Sequence, residues 1–132
     1  MGKPSVLVVD DDPVFLDSVV AVLRGCYHVK TASNGSEALA SIDIKHPDLI
    51  VLDVMMDHLS EGFDVARAVR EDPATERIPI IILTGVDRSY NLRMEVDESW
   101  VPANRYLEKP VSPSDLLREI EALVGPGEPA SK

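Results

Sequence analysis

The chain reads as a doubly wound α/β domain, and two patterns carry that reading. Continuous aliphatic runs recur along its 132 residues, and helix-period stripes separate them. The runs Val6-Leu7-Val8-Val9, Leu49-Ile50-Val51-Leu52 and Ile80-Ile81-Ile82-Leu83 do not alternate with polar residues. Strands of this kind are buried on both faces, as in a parallel sheet covered by helices. Right-handed crossovers then place helices on both sides of the sheet.

Five strands are predicted, over Ser5–Val9, Tyr27–Thr31, Asp48–Leu52, Ile78–Leu83 and Arg105–Glu108, the second being more polar than the rest. Between them, Phe15, Leu16, Val19, Val20, Val22 and Leu23 form one helical face, and Ala38, Leu39 and Ile42 another. Phe63, Val65, Ala66 and Val69 form a third, and Leu116, Leu117, Ile120 and Leu123 close the series, all near a 3.6-residue period. A further helix is expected around Arg88–Glu95, followed by a loop with Trp100 and Pro102. Asp12-Pro13 and Ser112-Pro113 each set a capping side chain before a proline at the first helical position. Asn34-Gly35-Ser36 marks a turn followed by a cap. Residues 1–124 are expected to form the domain, with 125–132 a flexible tail or the start of a linker.

Composition narrows the function. Apolar residues make up 45% and charged residues 27%, and no apolar run reaches the length of a membrane span. Twenty-three acidic residues face 13 lysines and arginines, a net charge of −10, which argues against a nucleic-acid surface. The single Cys26 excludes an internal disulfide. With no signal-peptide pattern, a cytoplasmic location and no membrane association are expected.

The chemistry gathers at strand ends. Asp10, Asp11 and Asp12 follow the first strand, Asp53 the third, Thr84 the fourth and Lys109 the fifth. Open α/β sheets bind ligands beyond the carboxyl ends of their strands, at the point where strand order reverses. Acids often cap helices, and Asp12 before Pro13 has that role. If the first and third strands are neighbours, however, Asp10, Asp11 and Asp53 meet. Two carboxylates about 4 Å apart repel by about 4 kcal/mol at an effective dielectric near 20, so the trio calls for a cation. Oxygen ligands without His or Cys suit Mg²⁺.

The segments VLVVDDDP, PDLIVLDVMM, IPIIILTG and YLEKPVSPSDL, in this order, resemble the receiver domain of two-component response regulators over about residues 5–124. The resemblance implies a five-stranded parallel sheet of order 2-1-3-4-5 flanked by five helices, the flavodoxin-like arrangement. It implies a phosphorylation-controlled module that accepts a phosphoryl group from a histidine kinase or phosphotransfer protein and passes the signal to a protein target or onward. By the same resemblance Asp53 matches the phosphoacceptor. Asp10 and Asp11 match the acidic pair that binds Mg²⁺ together with Asp53 and the main-chain carbonyl of Met55. Thr84 matches the switch hydroxyl, Lys109 the phosphoryl-binding lysine and Tyr106 the switch aromatic, while Pro110 matches a cis-proline position. Met55 and Val86 fall where the family usually carries polar side chains that orient the hydrolytic water. The family also dimerises through its fourth helix, fifth strand and fifth helix, so the resemblance allows a homodimer there.

The chain departs from the family pattern twice. Met56-Asp57-His58-Leu59-Ser60-Glu61-Gly62 lacks the usual proline and carries one extra residue, which predicts a more mobile loop. Val101-Pro102-Ala103-Asn104 replaces the usual Gly-Ala before the fifth strand, in a stretch about three residues longer than usual. That change falls on the face used for dimers. An aspartyl-phosphate hydrolase of the haloacid dehalogenase type fits less well, because it needs an acid two residues after the nucleophile, where this chain has Met55. A pseudo-receiver without phosphorylation fits poorly with the complete set Asp10, Asp11, Asp53, Thr84 and Lys109.

Overall fold

The computed structural model describes residues 3–53, 59–84, 103–108 and 111–125. Five strands form one parallel sheet: β1 (Ser5–Val9), β2 (His28–Ala32), β3 (Leu49–Asp53), β4 (Ile80–Thr84) and β5 (Arg105–Glu108). Their order is β2-β1-β3-β4-β5, as the resemblance implies. Four helices lie among the described residues: α1 (Pro13–Leu23), α2 (Gly35–Ile44), α3 (Leu59–Glu71) and α4 (Pro113–Val124). The additional helix expected around 88–95, with Trp100 and Pro102, falls outside the described residues, as do 126–132.

Period-two alternation splits the core into two layers. Leu7, Val9, Ile50, Leu52, Ile80 and Ile82 face α2 and α3, where Ala38, Ile42, Phe63, Ala66 and Val69 meet them. Val6, Val8, Leu49, Val51, Ile81 and Leu83 face α1 and α4, packing on Val19, Leu23, Leu116 and Ile120. All residues of β1 after Ser5, and all of β3, are buried, so the continuous apolar runs are strands covered on both sides.

Some boundaries differ from expectation. β2 lies one residue later than predicted, in register with β1 from Ser5↔His28 to Val9↔Ala32. Asn34 is itself the cap of α2: its Oδ1 accepts the Glu37 N–H at 2.9 Å. Val22 and Leu39 lie on the outer sides of α1 and α2 and are over a third exposed, because the buried stripe is narrower than the run of apolar residues. α3 starts at Leu59, so 59–62, expected as loop, is its first turn. The segment lacks the proline that would restrict where the helix begins. Asp12 and Ser112 cap as predicted, accepting from the N–H groups of Val14 and Asp115. At the other end of α4, Gly125 takes φ +85°, a conformation open to glycine without steric cost, and its carbonyl accepts the hydroxyl of buried Tyr27 at 3.0 Å.

Asn104 has a clear structural part. Its N–H donates to the Ile80 carbonyl at 2.8 Å, and its side-chain oxygen accepts the Ile80 N–H at 3.0 Å. The same oxygen accepts Arg70 Nη2 at 3.1 Å, while Arg70 Nη1 donates to the carbonyls of Glu76 and Ile78. One arginine thus ties the end of α3 to the starts of β4 and β5. Burial lowers the Arg70 pKa below the usual guanidinium range, and the neighbouring Tyr106 opposes that shift.

Removing the Asn104 side chain leaves the Ile80 N–H and Arg70 Nη2 without that acceptor in a partly buried setting. Asn104→Ala is expected to lower the unfolding free energy by about 1–2 kcal/mol, read as a lower urea midpoint. An unchanged midpoint would show that water replaces the contact at no cost.

Glu37 Oε1 accepts from both N and Oγ of Ser33, and the backbone bond, then the side-chain bond, lowers its pKa below 4.5. A depressed carboxylate pKa contributes stability that is complete above the unfolded value and is lost as pH falls through the folded one. The stability gap between wild type and Glu37→Gln should therefore shrink as pH drops from about 6 to about 3. A gap constant across that range would remove the carboxylate charge from the account.

Candidate functional site

Strand register assembles the site. Val9 pairs with Ala32 on one side and Leu52 on the other, which sets Asp10 beside Asp53 at the next step along the sheet. The Asp10 N–H continues the ladder, donating to the Ala32 carbonyl at 3.0 Å. Beyond it the chain turns into α1. The Asp12 N–H donates to Asp10 Oδ1 at 2.9 Å, while Asp12 Oδ1 caps Val14 N. Asp12 therefore does two things: its side chain starts the helix, and its main chain orients the Asp10 carboxylate. The second role was invisible in the sequence, because any residue but proline supplies an N–H.

Asp10, Asp11 and Asp53 each offer a carboxylate oxygen, and these oxygens all lie within 4.8 Å of one another. Asp10 and Asp53 are buried, at 0% and 2% exposure, and Asp11 is exposed. The expectation that the three acids meet is borne out. Two buried like charges and a third at the mouth favour a cation strongly, and exposure of Asp11 leaves a route from solvent. An all-oxygen donor set without His or Cys fits a hard divalent ion that keeps part of its water shell.

The other predicted positions are distributed as follows. Thr84 ends β4 opposite Glu108, one step beyond the Leu83 that pairs with Asp53. Tyr106 lies on β5 opposite Ile82, half-buried against the α2–α3 layer. Met55, Val86, Lys109 and Pro110 lie outside the described residues, as do Asp57 and His58.

The family model described as the response regulator receiver domain matches residues 6–121. The chain belongs to the response regulator receiver family. Receiver domains are signalling modules of two-component systems rather than metabolic enzymes, and they work with histidine kinases or phosphotransfer partners. Protein PilH of Pseudomonas aeruginosa is 34% identical over 123 residues, covering 90% of this chain and 96% of PilH. The alkaline phosphatase synthesis transcriptional regulatory protein PhoP of Bacillus subtilis is 35% identical over 124 residues, covering 90% of this chain and 48% of PhoP. The chain spans about half the length of several such curated relatives. Among solved structures, the receiver domain of sensor histidine kinase PA1611 from P. aeruginosa superposes with a TM-score of 0.77 at 27% identity, covering 95% of this receiver and 99% of the other. That structure holds a magnesium ion coordinated in its active-site cleft.

Proposed function

We propose that this receiver accepts a phosphoryl group on Asp53 from a phosphohistidine of a partner kinase or phosphotransfer protein. The observation that carries the reading is the convergence of Asp10, Asp11 and Asp53 at the carboxyl edge of the sheet, two of them buried. An Asp53 oxygen attacks phosphorus, the P–N bond of the donor breaks, and the imidazole nitrogen leaves with the electron pair and takes up a proton. The product is an acyl phosphate.

In this reading Asp10, Asp11, Asp53 and the Met55 carbonyl hold Mg²⁺. When bound, the ion would neutralise charge on the phosphoryl oxygens, which together with positioning supplies most of the catalysis of phosphoryl transfer. Lys109 takes a second phosphoryl oxygen, and a Lys109–Pro110 cis bond aims it. Thr84 takes a third. Contacts present only with the phosphoryl group draw Thr84 and Tyr106 into a second arrangement, because a switch needs a differential interaction between two states. Residues 1–124 form the working unit in the cytoplasm, 125–132 are tail or linker, and the surface passes the signal to a protein target, with no nucleic-acid or membrane binding of its own. A homodimer through the β5–α4 face and the segment around 88–95 is part of the same reading.

Asp53→Asn should abolish labelling by a small radioactive phosphodonor with Mg²⁺ while preserving the fold. An Asn variant labelled to the wild-type level would refute Asp53 as acceptor.

Lifetime is the second outcome. The side chains of Met55 and Val86 offer no donor or acceptor of useful strength to position a hydrolytic water. Such help is worth about 10²–10⁴ in rate, so the acyl phosphate should be long-lived without a phosphatase. Met55→Asn with Val86→Glu should hasten phosphate loss at saturating Mg²⁺. Equal decay in wild type and double variant would mean that the two apolar residues serve packing alone.

A further inference from the structure

The opposite end of the sheet carries a second concave site. β2 is an edge strand, and its alternate residues His28, Lys30 and Ala32 lie beside Ser5, Leu7 and Val9. α2 covers Ala32 and Val9, but it ends at Ile44 and leaves the amino-terminal half of this face open as a cavity of about 250 Å³. Leu7 and buried Pro47 supply apolar side chains, and Ser5 and Ser41 add hydroxyls. His28, Lys30 and Lys45 complete the basic side of the wall.

The charge of this lining runs against the rest of the chain. Acids outnumber lysines and arginines by 23 to 13 overall, yet two lysines and a histidine line the cavity with no acid among them. The carboxylate of Asp48 borders the cavity, its Oδ2 accepting the N–H of the lining residue Ser5 at 2.7 Å, and its charge opposes an anion there. The C-terminal end of α2 also lies here, and its negative dipole end disfavours an anion. Lys45 is the C-cap and sets a positive charge against that end, while its N–H satisfies the Ser41 carbonyl.

We propose that this cavity binds a small organic anion. A single carboxylate or phosphate head meets Lys30 and Lys45, and a short aliphatic body lies on Leu7 and Pro47. The volume falls just below the usual range for ligand pockets, which favours a small molecule with few convergent polar groups. The site does not depend on phosphorylation at Asp53. Ser5 and Asp10 are at opposite ends of β1, roughly 16 Å apart at about 3.3 Å per residue.

The test is an amide chemical-shift titration of the full chain with hexanoate and with hexyl phosphate, each compared with 1-hexanol and inorganic phosphate. Saturable shifts at Ser5–Leu7, Lys30 and Ser41 are expected from at least one of the two anions, and the stronger one identifies the head group. Hexanol and inorganic phosphate should each bind about tenfold or more weakly, because each lacks one half of the recognition. Lys30→Gln with Lys45→Gln should weaken the better anion by a similar factor. Both lysines are exposed, so the fold should be kept, with circular dichroism as the check. The proposal is overturned if neither anion gives saturable shifts there, if hexanol or inorganic phosphate binds as well, or if the folded double variant binds unchanged.

Discussion

Like-charge repulsion at the carboxyl edge of the sheet is the constraint on which the rest of the structure depends. Asp10 and Asp53 are buried side by side with Asp11 at the mouth, their oxygens within 4.8 Å. At an effective dielectric near 20, a pair at that separation repels by about 3–4 kcal/mol. A fold can hold such an arrangement only if other contacts fix the strand ends firmly. Here the β1 and β3 strands that carry the acids are buried on both faces, and their register leaves no freedom to slip. A one-residue slip would move each aspartate to the opposite face of the sheet and break both core layers at once.

The surrounding contacts serve the same end. The main chain of Asp12 holds the Asp10 carboxylate, and the side chain of Asp12 starts α1. On the far side of the sheet, Arg70 and Asn104 tie α3, β4 and β5 together, so the strand carrying Thr84 and the strand carrying Tyr106 share one anchor. Asn104 makes two bonds to Ile80, which hold the entry into β5 in register with β4.

Much of this was legible in the sequence, for identifiable reasons. Uninterrupted aliphatic runs admit few alternatives to a covered parallel sheet, and Asp-Pro and Ser-Pro pairs mark helix starts through fixed backbone chemistry. The meeting of Asp10, Asp11 and Asp53 could be anticipated because both strands end in acid. Strand order could not be read from periodicity, which is local, and came from the family resemblance. The outward turn of Val22 and Leu39 was missed because aliphatic identity does not reveal the width of a buried stripe. The start of α3 at Leu59 was missed because the family's loop pattern was carried onto a segment that lacks its proline. Main-chain roles, such as the Asp12 N–H on Asp10, and the basic cavity beside β2 depend on tertiary placement that sequence spacing does not encode.

The central claim is that the three carboxylates form one cation site. Titrating Mn²⁺ into the isotopically labelled protein, and following paramagnetic broadening of its amides, tests it most directly. Asp10, Asp11, Asp12 and Asp53 should broaden first and together, and excess Mg²⁺ should restore them. Broadening that begins at other acids and leaves these four sharp would contradict it.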